Sequence, residues 1–357
     1  MYKFRSVFRL SVSTIAIVLG LFGLVAYYAW PSHGADMPSP RIDGLFVETK
    51  TICFGRFLID VPAQADVIFG PTDLPWPVSS HPGKGDQLDA IIAERLAEVA
   101  EEKISASGRL LDKDSLVGSV LAGVVPGQKM VFGVSKVSSR IYRIDSFVRK
   151  NDDLFIQQAD PTAEERDAAV AGMNSIASTL RSRGALEIPD EPGACIEAGF
   201  IAGPKIDSFE SHSLGIRLAE FPDVQLSISV TKKSRFVESD ALEPRLRQAE
   251  DIARRAGSEG WFSRIKVFRR GPRVIGKWRG FEMLARKPAQ EHEGESHEFL
   301  FVSQGEPKNP ILPLLDLEFH TGIKGNEIGG IKPSVTDEEA VAIWDRLTSS
   351  IRVRPVK

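Results

Sequence analysis

The 357 residues are too many for one ordinary small domain and enough for two of roughly 150 residues each. Apolar residues at 42% and charged residues at 26% are globular proportions, which excludes wholesale disorder. The net charge of -3 gives no reason to expect nucleic acid as a partner.

Leu10 to Trp30 is an uncharged, mostly apolar run of 21 residues. As a helix it is long enough to cross a hydrocarbon core of ~30 Å. Lys3, Arg5 and Arg9 precede it and Tyr27, Tyr28 and Trp30 end it, so the positive-inside rule leaves residues 1–9 in the cytoplasm. The expectation is a single-pass inner-membrane protein anchored by residues 10–30, with its body in the periplasm. A cleaved signal peptide, cut near His33-Gly34-Ala35, is the alternative. Residues 31–50, rich in Pro, Ser and Gly up to Pro40, read as a linker.

The body opens with Thr51–Pro62, TICFGRFLIDVP, a β-branched and aromatic strand interrupted at Gly55. Ala65–Phe69 predicts a second short strand, and Gly70–Gly85 a proline- and glycine-rich loop that displays Trp76. Leu88, Ile91, Ile92, Leu96, Val99 and Ile104 repeat at helical spacing over 86–104. Short β-like runs fill 109–158, with Lys150-Asn151-Asp152-Asp153 as a hairpin turn, and a helix is predicted from Pro161 to about Arg183.

The order then repeats. Cys195–Ile201, CIEAGFI, again places a cysteine before an apolar run, and strands near 213–220 and 224–231 follow. A charged helix over 243–256 precedes strands near 265–270, 273–285, 296–304 and 313–321, and a last helix spans 337–350. Val170, Met173, Ile176 and Leu180 match Val341, Trp344, Leu347 and Ile351 at one constant offset, and both helices end in Ser-x-x-Arg-x-Arg. The predicted fold class is α+β: a transmembrane helix, then two similar domains, 51–188 and 193–357, each an antiparallel sheet with at least two helices.

Chemistry leaves few marks. No Gly-x-Ser-x-Gly elbow and no phosphate-binding loop is present, so no catalytic or cofactor-binding residue is assigned. His292 and His297 among Glu291, Glu293, Glu295 and Glu298 lack zinc-ligand spacing and read as a solvated acidic hairpin, not a metal site. Arg264, Lys266, Arg269, Arg270 and Arg273 read as a solvated face. Cys53 and Cys195, exported to an oxidising space, are candidates for one disulfide; two separately buried thiols are the alternative. Trp76 and the acidic tip Glu291, Glu293 and Glu295 are candidate contacts for a protein partner.

The stretch Cys53-Phe54-Gly55-Arg56-Phe57-Leu58-Ile59-Asp60-Val61-Pro62 resembles the opening motif of the immunity proteins that bacteria make against type VI secretion phospholipase effectors. Cys195–Ile201 resembles the start of that family's C-terminal domain, and Trp278-Arg279-Gly280-Phe281-Glu282 its central strand. The resemblance implies a non-enzymatic envelope protein that binds and blocks a cognate phospholipase effector, without cofactor. A membrane-anchored periplasmic sensor or ligand-binding module is the rival reading of the residues alone.

Overall fold

The computed structural model describes residues 39–105, 115–203, 209–290 and 293–357. The expected anchor, Leu10 to Trp30, and the candidate Glu291 lie outside them. Among the described residues no helix is long and apolar enough to cross a membrane.

Within the span read as a linker, residues 40–45 instead form α1 (Pro40–Leu45), because Ile42 and Leu45 find a core to enter. Next come the hairpin β1 (Thr49–Phe54) and β2 (Phe57–Pro62), then β3 (Asp66–Asp73) and β4 (Pro77–His81). The expected loop over Gly70–Gly85 is therefore largely strand. Its prolines are tolerated because β3 and β4 pair over two residues only, Thr72 with Val78 and Asp73 with Pro77, and turn at a cis Leu74–Pro75 bond. α2 (Leu88–Ser105), β5 (Val120–Ala122), β6 (Gln128–Val134), β7 (Tyr142–Lys150), β8 (Asp153–Ala159), α3 (Arg166–Thr179) and β9 (Leu180–Ser182) complete the first half. Asn151, at φ 53°, makes the β7–β8 turn as expected.

The second half follows the same plan. Its elements are β10 (Gly193–Ile196), β11 (Gly199–Ala202), β12 (Glu210–Arg217), β13 (Gln225–Lys232), α4 (Leu242–Arg255), α5 (Glu259–Phe262), β14 (Lys266–Ile275) and β15 (Trp278–Lys287). β16 (Ser296–Ser303), β17 (Leu314–His320), α6 (Asp337–Ser349) and β18 (Arg352–Val353) close it. α6 starts where Thr336 accepts from the Glu339 amide while Glu339 reaches back to the Thr336 amide, a complete capping box. Ala340, Ile343, Trp344 and Leu347 then bury one face of the helix.

Among the described residues twelve strands form one antiparallel sheet, joined in the middle by β3 and β12. Outward from that seam the order is β3, β4, β8, β7, β6, β5 on one side and β12, β13, β17, β16, β15, β14 on the other. The two sides correspond strand for strand, so the repeat legible in the sequence is a mirrored repeat in the sheet.

The cores do not divide at 188–193. The β1–β2 hairpin adds to β18 and buries Ile52, Phe54, Phe57, Ile59 and Val61 in the core of the second half, with Phe57 5.2 Å from Trp278. The β10–β11 hairpin adds to β9, and Ala194, Ile196 and Ile201 join the core of the first half. Each Cys-led hairpin thus serves the half opposite to the one it opens in sequence. The shared Arg endings clasp them: the Arg183 and Arg354 amides donate to the carbonyls of Ala198 and Arg56 at the two hairpin turns. The buried Arg183 guanidinium adds bonds to the carbonyls of Ile196 and Gly199. Where the hairpins meet, Cys53 and Cys195 form a disulfide beside Leu58 and Phe200. Gly55 and Cys195 also exchange two backbone hydrogen bonds of 2.7 Å.

Candidate functional site

Side chains alternate across a strand, so pairing register carries one face of the sheet from edge to edge. Leu214, Ile216, Leu226, Ile228, Leu315 and Leu317 point to the face covered by the β1–β2 hairpin and α6. The opposite face carries Gly215, opposed to Ser227, which is opposed to Glu318; in the next row of the same face Ser213 opposes Ser229, which opposes Asp316. Across the seam Gly215 opposes Ile68, and beyond β4 this face continues through Ser79, Ile156 and Phe147.

Gln158 and its partner Asp145 also lie on this face, and Asp145 accepts from Arg95 of α2 at 2.7 Å. At the other end Asp316 meets Arg245 of α4 at 3.6 Å. Both helices therefore stand on the same side of the sheet, over its two outer parts. Between them the central strands are uncovered, and a trough runs across the seam with α2 and α4 as walls.

The floor of the trough is made of small residues. Gly70 permits the closest approach, because a Cβ there would lie 2.4 Å from Ser213 Oγ. Two adjacent cavities share Gly70. The first, about 390 Å³, is lined by Ile68, Ser213, Gly215, Gln225, Asp316 and Glu318. The second, about 440 Å³, lies where β3 and β4 splay and is lined by Asp73, Ser79, Ile156 and Gln158 and, from the β10–β11 hairpin on the α3 side, by Ile196 and Glu197. Burial pushes the Asp73, Glu197 and Asp316 carboxyls above their ordinary values. The Glu318 carboxyl is held down, chiefly by its hydrogen bond with His320.

The residues singled out from sequence are not brought together here. Trp76 is half-buried with its ring against Gly172 of α3, on the other side of the sheet. Glu293 and Glu295 are exposed on the β15–β16 connection, which is held by the Gly294 amide donating to the Gly329 carbonyl at 2.7 Å. The basic cluster is largely consumed by ion pairs: Lys266 with Asp337, Arg270 with Glu250, and Arg269 and Arg273 with Glu282 and Asp345. The trough itself left one trace in the sequence, the alternation of Ser211, Ser213 and Gly215, and of Ser227, Ser229 and Thr231, with apolar residues.

His297 corrects the reading of a solvated hairpin, for it is 2% exposed. Its Nδ1 lies 2.8 Å from Thr321 Oγ1 and its Nε2 2.9 Å from Asp337 Oδ1. The distances are those of a hydrolytic triad, but Thr321 is fully buried and its hydroxyl also accepts from the His297 amide, so no substrate can reach it. The array ties β16 to the start of α6. Among the described residues no group of His, Cys, Asp and Glu is arranged to hold a metal.

Burial holds the His297 imidazole below the ordinary histidine value even though Asp337 acts to raise it. The unfolded chain therefore binds the proton more readily than the folded one. Stability should be flat above about pH 6.5 and should fall as pH drops from there toward the lowered folded value. Urea midpoints at pH 7 and pH 5.5 will measure this fall, and His297→Gln should reduce it; an unchanged fall assigns it to other groups.

The profile of the family described as "Tle cognate immunity protein 4 C-terminal domain" matches residues 187–356. Among solved structures, a chain of the Tle4–Tli4 complex is 25% identical, with TM-score 0.67 over 87% of this chain and 98% of that one. The apo immunity protein TplEi of the type VI secretion system of Pseudomonas aeruginosa is 23% identical, with TM-score 0.66 over 87% and 98%. TplEi with its "L" peptide gives 23%, 0.65, 87% and 99%. The TplEi likeness is one of fold. No curated protein matches.

Proposed function

We propose that this chain, whose residues 187–356 belong to the C-terminal domain family of Tle cognate immunity protein 4, protects its cell by binding a type VI secretion lipase effector and occluding it. The family is one of immunity proteins, not of enzymes. The observation that carries the reading is the likeness, over most of both chains, to a chain of the Tle4–Tli4 complex.

The trough supports occlusion. A rigid floor between two helical walls can hold a projecting part of a partner, and ~1,600 Å² of buried surface is enough for tight binding without chemistry. A periplasmic body, tethered through residues 10–30, fits the charge asymmetry around that run and a disulfide-bonded interior.

Periplasmic co-expression of the full chain with the lipase effector encoded beside it should restore growth. The two proteins should co-purify, and the purified complex should show no lipase activity. A complex that keeps full activity overturns occlusion, and protection without any complex overturns binding.

A further inference from the structure

Both cavities of the trough are lined by charged residues of one sign: Asp316 and Glu318 in the first, Asp73 and Glu197 in the second. Several acids elsewhere are closely paired, as Asp145 with Arg95 and Arg143, Asp60 with Arg352, and Asp337 with Lys266 and Arg286. In the trough they are not. Among the described residues Asp73 and Glu197 have neither an ion pair nor a side-chain hydrogen bond, and only His212 acts on the Asp73 charge from a distance. Asp316 has a loose 3.6 Å contact with the half-exposed Arg245 and feels Lys233 at longer range, and Glu318 has His320 at 3.7 Å and feels Arg245.

We infer that the trough receives a positively charged segment of the effector, whose lysine or arginine side chains pair with Asp73, Glu197, Asp316 and Glu318. This rests on the immunity reading and adds the chemistry of the segment that is bound. The small floor residues leave depth for long cationic side chains, and Ile68, 51% exposed in the middle of the floor, offers apolar surface to their stems. Burial already raises three of the four carboxyls in the free protein. An arriving cation offsets that desolvation, and complementary charge also steers the encounter. Nucleic acid is excluded by like charge.

The test measures binding of the full-length protein to the lipase effector encoded beside it, at about 0.05 and 0.5 M salt. Wild-type affinity should fall at least about tenfold over that range. The variant Asp73→Asn/Glu197→Gln/Asp316→Asn/Glu318→Gln should bind at least about tenfold more weakly at low salt, with a flatter salt dependence. It should melt no lower than wild type, because uncompensated carboxylates are being removed. Glu293→Gln/Glu295→Gln, outside the trough, should bind as wild type. Wild-type affinity indifferent to salt overturns the inference without reference to any variant, and so does a quadruple variant that binds as tightly as wild type. If wild type does not bind the effector at all, the immunity reading fails instead.

Discussion

Replacing Cys53 and Cys195 together by alanine should lower the unfolding free energy by about 4 kcal/mol, because their bond closes a very long loop in the unfolded chain. The two residues are 142 positions apart in sequence, and each sits on a hairpin packed into the half that the other hairpin opens. Once the bond is gone, the unfolded chain recovers the entropy of that loop. The folded chain still has the paired backbone bonds between Gly55 and Cys195 and the apolar contacts of Leu58 and Phe200. Folding should therefore survive at lower stability. Guanidinium unfolding of wild type with and without reductant, beside the double variant, measures the effect. Reduced and oxidised proteins with the same midpoint would show that the crosslink adds nothing to the packing.

Arg56→Ala should be about as damaging, at about 3 to 5 kcal/mol, for a different reason. Arg56 and Glu210 are both about 5% exposed and share a two-pronged contact at 3.0 to 3.1 Å, where the first hairpin meets β12. His212 Nε2 lies 3.1 Å from the same carboxylate, and its ring sits so close to Gly55 that a Cβ there would be 2.6 Å from it. Gly55, at φ 51°, is thus fixed both by its turn and by that ring. Burial works against the Glu210 charge, yet His212 and Arg56 hold its carboxyl below the ordinary value. Removing the guanidinium leaves a buried carboxylate with one partner fewer, and that is the source of the penalty. Arg56→Met with Glu210→Leu removes both charges and should regain most of the loss. A double-mutant cycle in urea decides it; if the double variant is as unstable as Arg56→Ala, the packing of these side chains, not their charge, matters at this joint.

The strands and helices follow from local physics, and so they were legible in order. Alternation marked β12, β13 and β17, helical spacing marked α2 and α6, and the matched closing helices marked a repeat that the sheet displays as a mirrored strand order. The opening motif, the Cys195 run and Trp278–Glu282 pointed to the immunity family through residues whose roles are structural: Trp278 is buried with its indole N–H on the Pro313 carbonyl, and a Cβ at Gly280 would lie 2.5 Å from the Val302 carbonyl.

The destination of each hairpin was not legible. An apolar hairpin presents the same alternation whichever core it enters, and the choice is made by distant contacts with β18 and β9. The same limit hid His297, whose neighbours in sequence are glutamates while its partners in space are Thr321 and Asp337. It hid the trough as well. A period of two states which residues share a face, but only the placement of α2 and α4 over the outer strands decides which part of that face stays open, because that placement comes from packing between segments far apart in the chain.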